Sequence, residues 1–465
     1  MKKRIRLFLL AFCLLLSACS TAAQPSPEPD PAPEAVPSED TSPQLPQPPQ
    51  DQEEPLSQRE KDWGEDIEFL REQYKDIHLR PFYFRTEEEF DGALDRLAAR
   101  VEELTDSELY FELAAAVAGM GDTHTKVLEP ETLYDRLLPF DTFYFGDRLY
   151  LVNYLEGHEE LAPYLLREIV AVNGVDIAYL QRKAESITCP ANSWFSKELF
   201  PYHWSFLPAF YEWASGWGEQ ETYTLRILNE NQEVEQVEVP VVSRAEYEGA
   251  EKIYPECLRS IPLLHKEDMA EYANWSGGCV FLAIGSMFTV EETRYQELFE
   301  KAARLLEEHP DCRKLAIDLR GNTGGYAAAF NYLKNDISIL KELAFEQVYV
   351  LTNGYTASYA TRCLTLFEEE LGAVKVGEPT GQFTSFFVHS TSTNGVTVTL
   401  PHSQLSVLIA TGWHGGDDPE NTAYNKRNKL YEWESTILPD VYVYQDIEDI
   451  RQGKDSVLEW VLAQE

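Results

Sequence analysis

From Cys279 onward, strands alternate with helices, and this alternation limits the possible folds more than any other feature of the chain. Val280 to Ile284 reads as a strand, and Thr289 with Glu292 reads as the cap of a long helix reaching Glu308. A strand from Lys314, a helix after Gly325, a strand from Gln347, a helix after Ser358 and a strand at Val374 follow in turn. Parallel strands need helical crossovers, so the order predicts an α/β fold with a largely parallel sheet. The Lys314 strand runs into Arg320-Gly321-Asn322-Thr323-Gly324-Gly325. Without a Cβ in the way, backbone N–H groups in such a turn can approach a reacting atom closely. The Gln347 strand leads into Gly354-Tyr355-Thr356-Ala357-Ser358, which sets a serine between a strand end and a helix start.

Upstream, residues 57–128 read as helices that carry a histidine loop. Thr86 with Glu89 and Thr105 with Glu108 are capping-box pairs, and Leu109, Leu113, Ala116 and Val117 form an apolar helical stripe. Gly121-Asp122-Thr123-His124-Thr125 then places His124 in a loop just past a helix end. Residues 129–250 read as an α+β region. Asn173-Gly174 sits between β-rich runs, and Tyr223–Ile227 with Val234–Val239 reads as a second hairpin.

Gly121–Thr125, Ile317–Gly325, Thr356-Ala357-Ser358, Gly377-Glu378-Pro379-Thr380 and Ile437–Val441 occur in this order over residues 60 to 465. Together they resemble the C-terminal processing (tail-specific) serine peptidase family, including its tricorn-core branch. The resemblance implies a ClpP/crotonase-like core over 251–465. Leu166–Ile177 is also similar to the hairpin of PDZ-like domains, so 129–250 is either PDZ-like or a plain α+β hairpin region.

A serine hydroxyl is a poor nucleophile until a base takes its proton. The resemblance implies Ser358 as nucleophile, with an oxyanion hole formed by N–H of Tyr359 and of Gly324 or Gly325. A serine before a helix otherwise serves as a cap. Many family members use a Ser-Lys dyad whose lysine follows the Gly-Glu-x-Thr segment. Here Gly381-Gln382-Phe383-Thr384-Ser385 follows it, and Lys375 precedes it. The tricorn-core branch uses a histidine preceded by a small hydroxyl residue, which Thr123-His124 matches, and imidazole suits a general base at neutral pH. The same branch implies a glutamate before the late Pro-Asp motif, here Glu434 or, failing that, Glu432. Asp318, Arg320 and Asn322 read as braces of the Gly-Gly turn.

The net charge of −40 argues against nucleic-acid binding, which needs clustered Lys and Arg. Residues 1–18 carry Lys2, Lys3, Arg4 and Arg6 ahead of an apolar run, and Leu16-Ser17-Ala18-Cys19 resembles a lipoprotein cleavage box. Cleavage there removes four positive and no negative charges, which takes −40 to −44, and Cys19 would carry the lipid. Residues 19–56 are rich in Pro and Glu and read as a disordered linker. The expectation is a protein on the extracytoplasmic face of a bacterial cell envelope, anchored to the membrane by lipid. No cofactor is called for, and no metal either. The cysteines are widely spaced without C-x-x-C, and His414 near Asp417 and Asp418 reads as a solvated loop. The substrates implied are peptides or proteins. The rivals are an inactive envelope lipoprotein of the same fold that binds peptides or a partner, and a solute-binding lipoprotein. An intact Ser358 and His124 favour the peptidase.

Overall fold

A computed structural model describes residues 56–188, 192–260, 272–343, 345–388, 396–415, 419–428 and 436–464. The leader, Cys19, the linker to residue 55, Cys189, Asp417, Asp418, Glu432 and Glu434 lie outside these residues.

The expected alternation builds a six-stranded sheet. Its order is Tyr272–Ser276, Cys279–Ala283, Lys314–Asp318, Gln347–Thr352, Val374–Gly377 and Val441–Tyr442. The first pair is antiparallel and every other pair is parallel. Helices Arg294–Glu308, Ala327–Glu342 and Tyr359–Leu371 make the crossovers. The strands read as continuous apolar runs because both faces are covered. Leu315, Ile317, Val348 and Val350 pack with Phe299, Leu333 and Phe367 on one face. Ala316, Tyr349 and Leu351 pack with Val457 and Val461 on the other.

The helix before the Lys314 strand begins at Arg294, and neither Thr289 nor Glu292 caps it. The preceding segment is drawn into tertiary pairing instead. Ile284 N–H donates to Asp318 O, Met287 N–H donates to Gly324 O, and Tyr326 N–H donates to Met287 O. Backbone bonds from Met287 to Gly324 and from Tyr326 to Met287 hold this segment in place of a local cap.

The N-terminal helices are Gln58–Ile77, Glu87–Ala98 and Asp106–Ala118. Both capping boxes, Thr86/Glu89 and Thr105/Glu108, form with their reciprocal bonds. Ile169–Val172 turns through Asn173-Gly174 into Val175–Asp176, and Thr222–Leu228 pairs with Val234–Pro240, which makes a four-stranded antiparallel sheet.

One late excursion crosses back to this half. The hairpin Val396–Thr399/Ser406–Ile409 pairs with Lys126–Val127, and Val398, Val407 and Ile409 join the core of the N-terminal helices. Buried Asp66 accepts from the N–H groups of His402 and Ser403 at 2.8 and 2.7 Å. The pairing begins at Lys126, so it fixes the end of the loop that carries His124. Among the described residues no helix is long and apolar enough to cross a membrane.

Candidate active site

Ser358 stands at the turn between the Gln347–Thr352 strand and the Tyr359–Leu371 helix, with φ +52° and ψ −128°. A non-glycine residue there costs about 1–3 kcal/mol and persists only when its surroundings hold it. They do so here. Its N–H donates to Gln382 Oε1 at 2.7 Å, and its carbonyl accepts from Thr361 Oγ1 at 2.7 Å. The Ser358 side chain makes no capping hydrogen bond, so its hydroxyl is not spent on the helix.

The Gly-Gly turn lies directly against this serine. A Cβ on Gly324 would stand 2.6 Å from Tyr359 N and 2.7 Å from Ser358 Cβ. One on Gly325 would stand 2.2 Å from the Met287 carbonyl carbon. No side chain fits at either position. Asn322 holds the turn: its Oδ1 accepts the Gly324 N–H at 2.7 Å, its Nδ2 donates to Ile284 O at 2.7 Å, and its carbonyl accepts from Ala357 N–H. Arg320 is buried between Asp318 and Asp455, with four bonds of 2.6 to 2.9 Å. Asp318, Arg320 and Asn322 therefore brace the turn.

The Gly324 N–H is committed to Asn322, so of the two glycines Gly325 is the one free to donate. Its neighbours' bonds to Met287 point the other way, as in any strand pairing. The Tyr359 N–H opens a helix of 13 residues, where the backbone dipole favours negative charge.

His124 is held from several sides. Buried Asp122 accepts its N–H at 2.9 Å through Oδ1. The other Asp122 oxygen accepts from Thr125 Oγ1 at 2.5 Å and faces His78 Nε2 at 3.1 Å. His78 Nδ1 accepts from Arg80 N–H, so Nε2 carries the proton and donates to Asp122. Burial alone would raise the Asp122 carboxyl, but the hydrogen bonds from His78 and Thr125 and the neighbouring His124 hold it below its ordinary value. The His124 ring stacks on Phe386, with centroids 5.7 Å apart and planes 12° apart. Alternate residues of a strand face opposite ways. Next to Phe386, Phe387 turns instead toward His78 and Trp413 and docks the helical region.

Nucleophile turn and histidine loop meet through Gln382. Its Nε2 donates to Thr123 Oγ1 and lies 3.4 Å from His124 Nδ1, while Thr123 Oγ1 lies 3.3 Å from the same nitrogen. The fold thus gathers Ser358, Tyr359, Gly324, Gly325, Thr123 and His124. Glu434 and Glu432 are outside the described residues. The nearest described chain, Thr436 and Ile437, is hydrogen-bonded to Thr380. Lys375 is buried and paired with Glu368 and Asp440 at 3.2 and 3.1 Å.

The sequence reading missed Gln382 and His414 as site residues. The His414 ring stands 5.4 Å from Phe386 and 5.6 Å from Tyr359. Only the absent lysine after Thr380 drew notice to the stretch that holds Gln382. Among the described residues Cys279, Cys312 and Cys363 form no disulfide, and no group of His, Cys, Asp and Glu is placed to hold a metal ion.

No family model matches this chain, and no curated protein matches it. Solved structures do. Mature CPAF complexed with lactacystin aligns with a TM-score of 0.59 at 12% identity, covering 87% of this chain and 97% of that one. Mature CPAF alone gives 0.57 at 12% identity over 87% and 96%, and a mutant of CPAF gives 0.55 at 11% over the same shares. The likeness is one of fold, and it spans nearly the whole of each CPAF chain.

Proposed function

We propose that the chain is a serine endopeptidase that cleaves peptide bonds through an acyl-enzyme, akin to the tail-specific and tricorn-core peptidases. The observation that carries this reading is the Ser358 turn: a strained backbone, a hydroxyl not used as a cap, and a Gly-Gly turn against it. In this mechanism His124 takes the Ser358 proton as Oγ attacks the substrate carbonyl carbon. The resulting oxyanion sits between the N–H groups of Gly325 and Tyr359. One such donor contributes roughly 3–4 kcal/mol of transition-state stabilisation. His124 then protonates the departing amine, and water attacks the acyl-enzyme with His124 again as base. Glu434 is assigned the task of orienting His124 and stabilising imidazolium. Its place shortly before Ile437, which is tied to Thr380, supports that assignment. The parallel sheet is read as a ClpP/crotonase-like core and the 129–250 region as PDZ-like.

Ser358→Ala should abolish hydrolysis of a peptide and labelling by a fluorophosphonate, with an unchanged melting temperature. Equal turnover in the variant would sink the assignment. The lipid anchor at Cys19 and the extracytoplasmic location belong to the same proposal, supported by the leader and the cleavage box. Cys19→Ser should move the protein out of the membrane fraction. Retention after a salt wash would require another anchor.

A further inference from the structure

Gln382 is 4% exposed and lies 258 residues from His124 in sequence. We infer that it is a positioning residue that holds nucleophile and base in register, an inference that rests on the peptidase reading above.

Its orientation follows from chemistry. The Ser358 N–H can only donate, so the amide atom 2.7 Å from it must be the oxygen. The NH2 end therefore points at Thr123 Oγ1 and His124 Nδ1. The backbone beneath is fixed from both sides. Gly381 N–H donates to Thr356 O at 2.9 Å, and Asn192 Nδ2 donates to Gly381 O at 2.6 Å. Thr380 Oγ1 donates to the Gln382 carbonyl. The side chain is thus a rigid bracket with an acceptor on the serine turn and a donor on the histidine loop.

Two consequences follow. The left-handed Ser358 backbone needs an acceptor for its N–H, and Gln382 supplies it. The amide also presents its donor end to Thr123 Oγ1 and toward His124 Nδ1, which sets where the imidazole stands relative to the serine turn. Titratable groups near this ring include Asp122 in its own loop, with His78 behind it, and His414, which touches Phe386 from the Gly412–His414 strand.

The test compares wild type, Gln382→Met, Gln382→Glu and Ser358→Ala, each as the full chain. The measurements are kcat and KM on a peptide, the rate of fluorophosphonate labelling, thermal melting, and the pH profile of kcat/KM. Gln382→Met keeps the length and removes both bonds. It should lower kcat by roughly 10²-fold, the cost of a misplacement of about 1 Å, with KM unchanged. Gln382→Glu keeps the acceptor for Ser358 N–H but sets a carboxylate beside the imidazole. It should recover most of the loss at high pH, and the acid limb should move up by about one pH unit or more. A purely structural role would lower the melting temperature and leave that limb in place. A folded Gln382→Met with kcat within about twofold of wild type, or an unmoved limb in Gln382→Glu, overturns the inference. If Gln382→Met does not fold, the Gln382→Glu limb decides alone. A Ser358→Ala variant as active as wild type brings down the peptidase reading instead, whereas an inactive Ser358→Ala beside an unaffected Gln382→Met removes only the role of Gln382.

Discussion

Adding one methyl group at Gly324 should disable this site without touching a reacting atom. The new Cβ would stand 2.6 Å from Tyr359 N, 2.7 Å from Ser358 Cβ and 3.0 Å from Ala357 O. Carbon contacts settle at about 3.5–4.0 Å, so the two turns must separate by roughly 1 Å. None of the three atoms is the end of a flexible side chain, and Asn322 and Gln382 tie both turns down. Gly324 also has φ +88°, where an alanine costs about 1–2 kcal/mol. Overpacking adds about 1–3 kcal/mol, for a total of about 2–5 kcal/mol. A shift of about 1 Å between Ser358 and the donors should lower kcat roughly 10²-fold. Gly146→Ala is the control. It has φ +58° with nothing within 4 Å of the added Cβ, so it carries the backbone cost alone. Thermal melts, labelling rates and kcat/KM on a peptide should rank wild type and Gly146→Ala together in activity, with Gly324→Ala far below. A Gly324→Ala protein that melts no lower than Gly146→Ala and keeps kcat/KM within about twofold would refute the reasoning.

His124→Ala should lose nearly as much activity as Ser358→Ala, because nucleophile and base act as a unit. Lys375→Ala should instead lose about 1–3 kcal/mol of stability by removing the ion pairs of its buried ammonium with Glu368 and Asp440, with kcat/KM of the folded protein near wild type. The reverse pattern in a peptide assay would make lysine the base. Asp122 has a folded-state pKa below its unfolded one, so its ionised form stabilises the fold above the ordinary carboxylate range, and that contribution is lost as pH falls through the depressed value. The melting-temperature gap between wild type and Asp122→Asn should therefore be widest near neutral pH and close on acidification. A gap that stays constant down to about pH 3 would exclude an ionised Asp122, given an ordinary carboxylate pKa near 3.9.

The sequence by itself determined what depends on neighbours along the chain. Capping boxes at Thr86 and Thr105, the Asn173-Gly174 hairpin and the strand–helix alternation after Cys279 are local signals, each written within a few residues, and all appear in the fold. The Gly-Gly turn and Ser358 were also legible, because each lies at a strand end where periodicity breaks. Tertiary structure decided everything that joins distant segments. Thr289 and Glu292 spell a cap, yet Met287 pairs with the Gly-Gly turn, and the helix starts later. Nothing in Asn322 announced that its side chain would take the Gly324 N–H and leave donation to Gly325. Nothing in Gln382 announced that it would reach Ser358 on one side and Thr123 and His124 on the other. A glutamine has the same local signature on a surface as in a bracket. Its role depends on where the hairpin 396–409 and the Phe386–Val388 strand bring the N-terminal loop, and contacts over that separation have no period for a sequence to display.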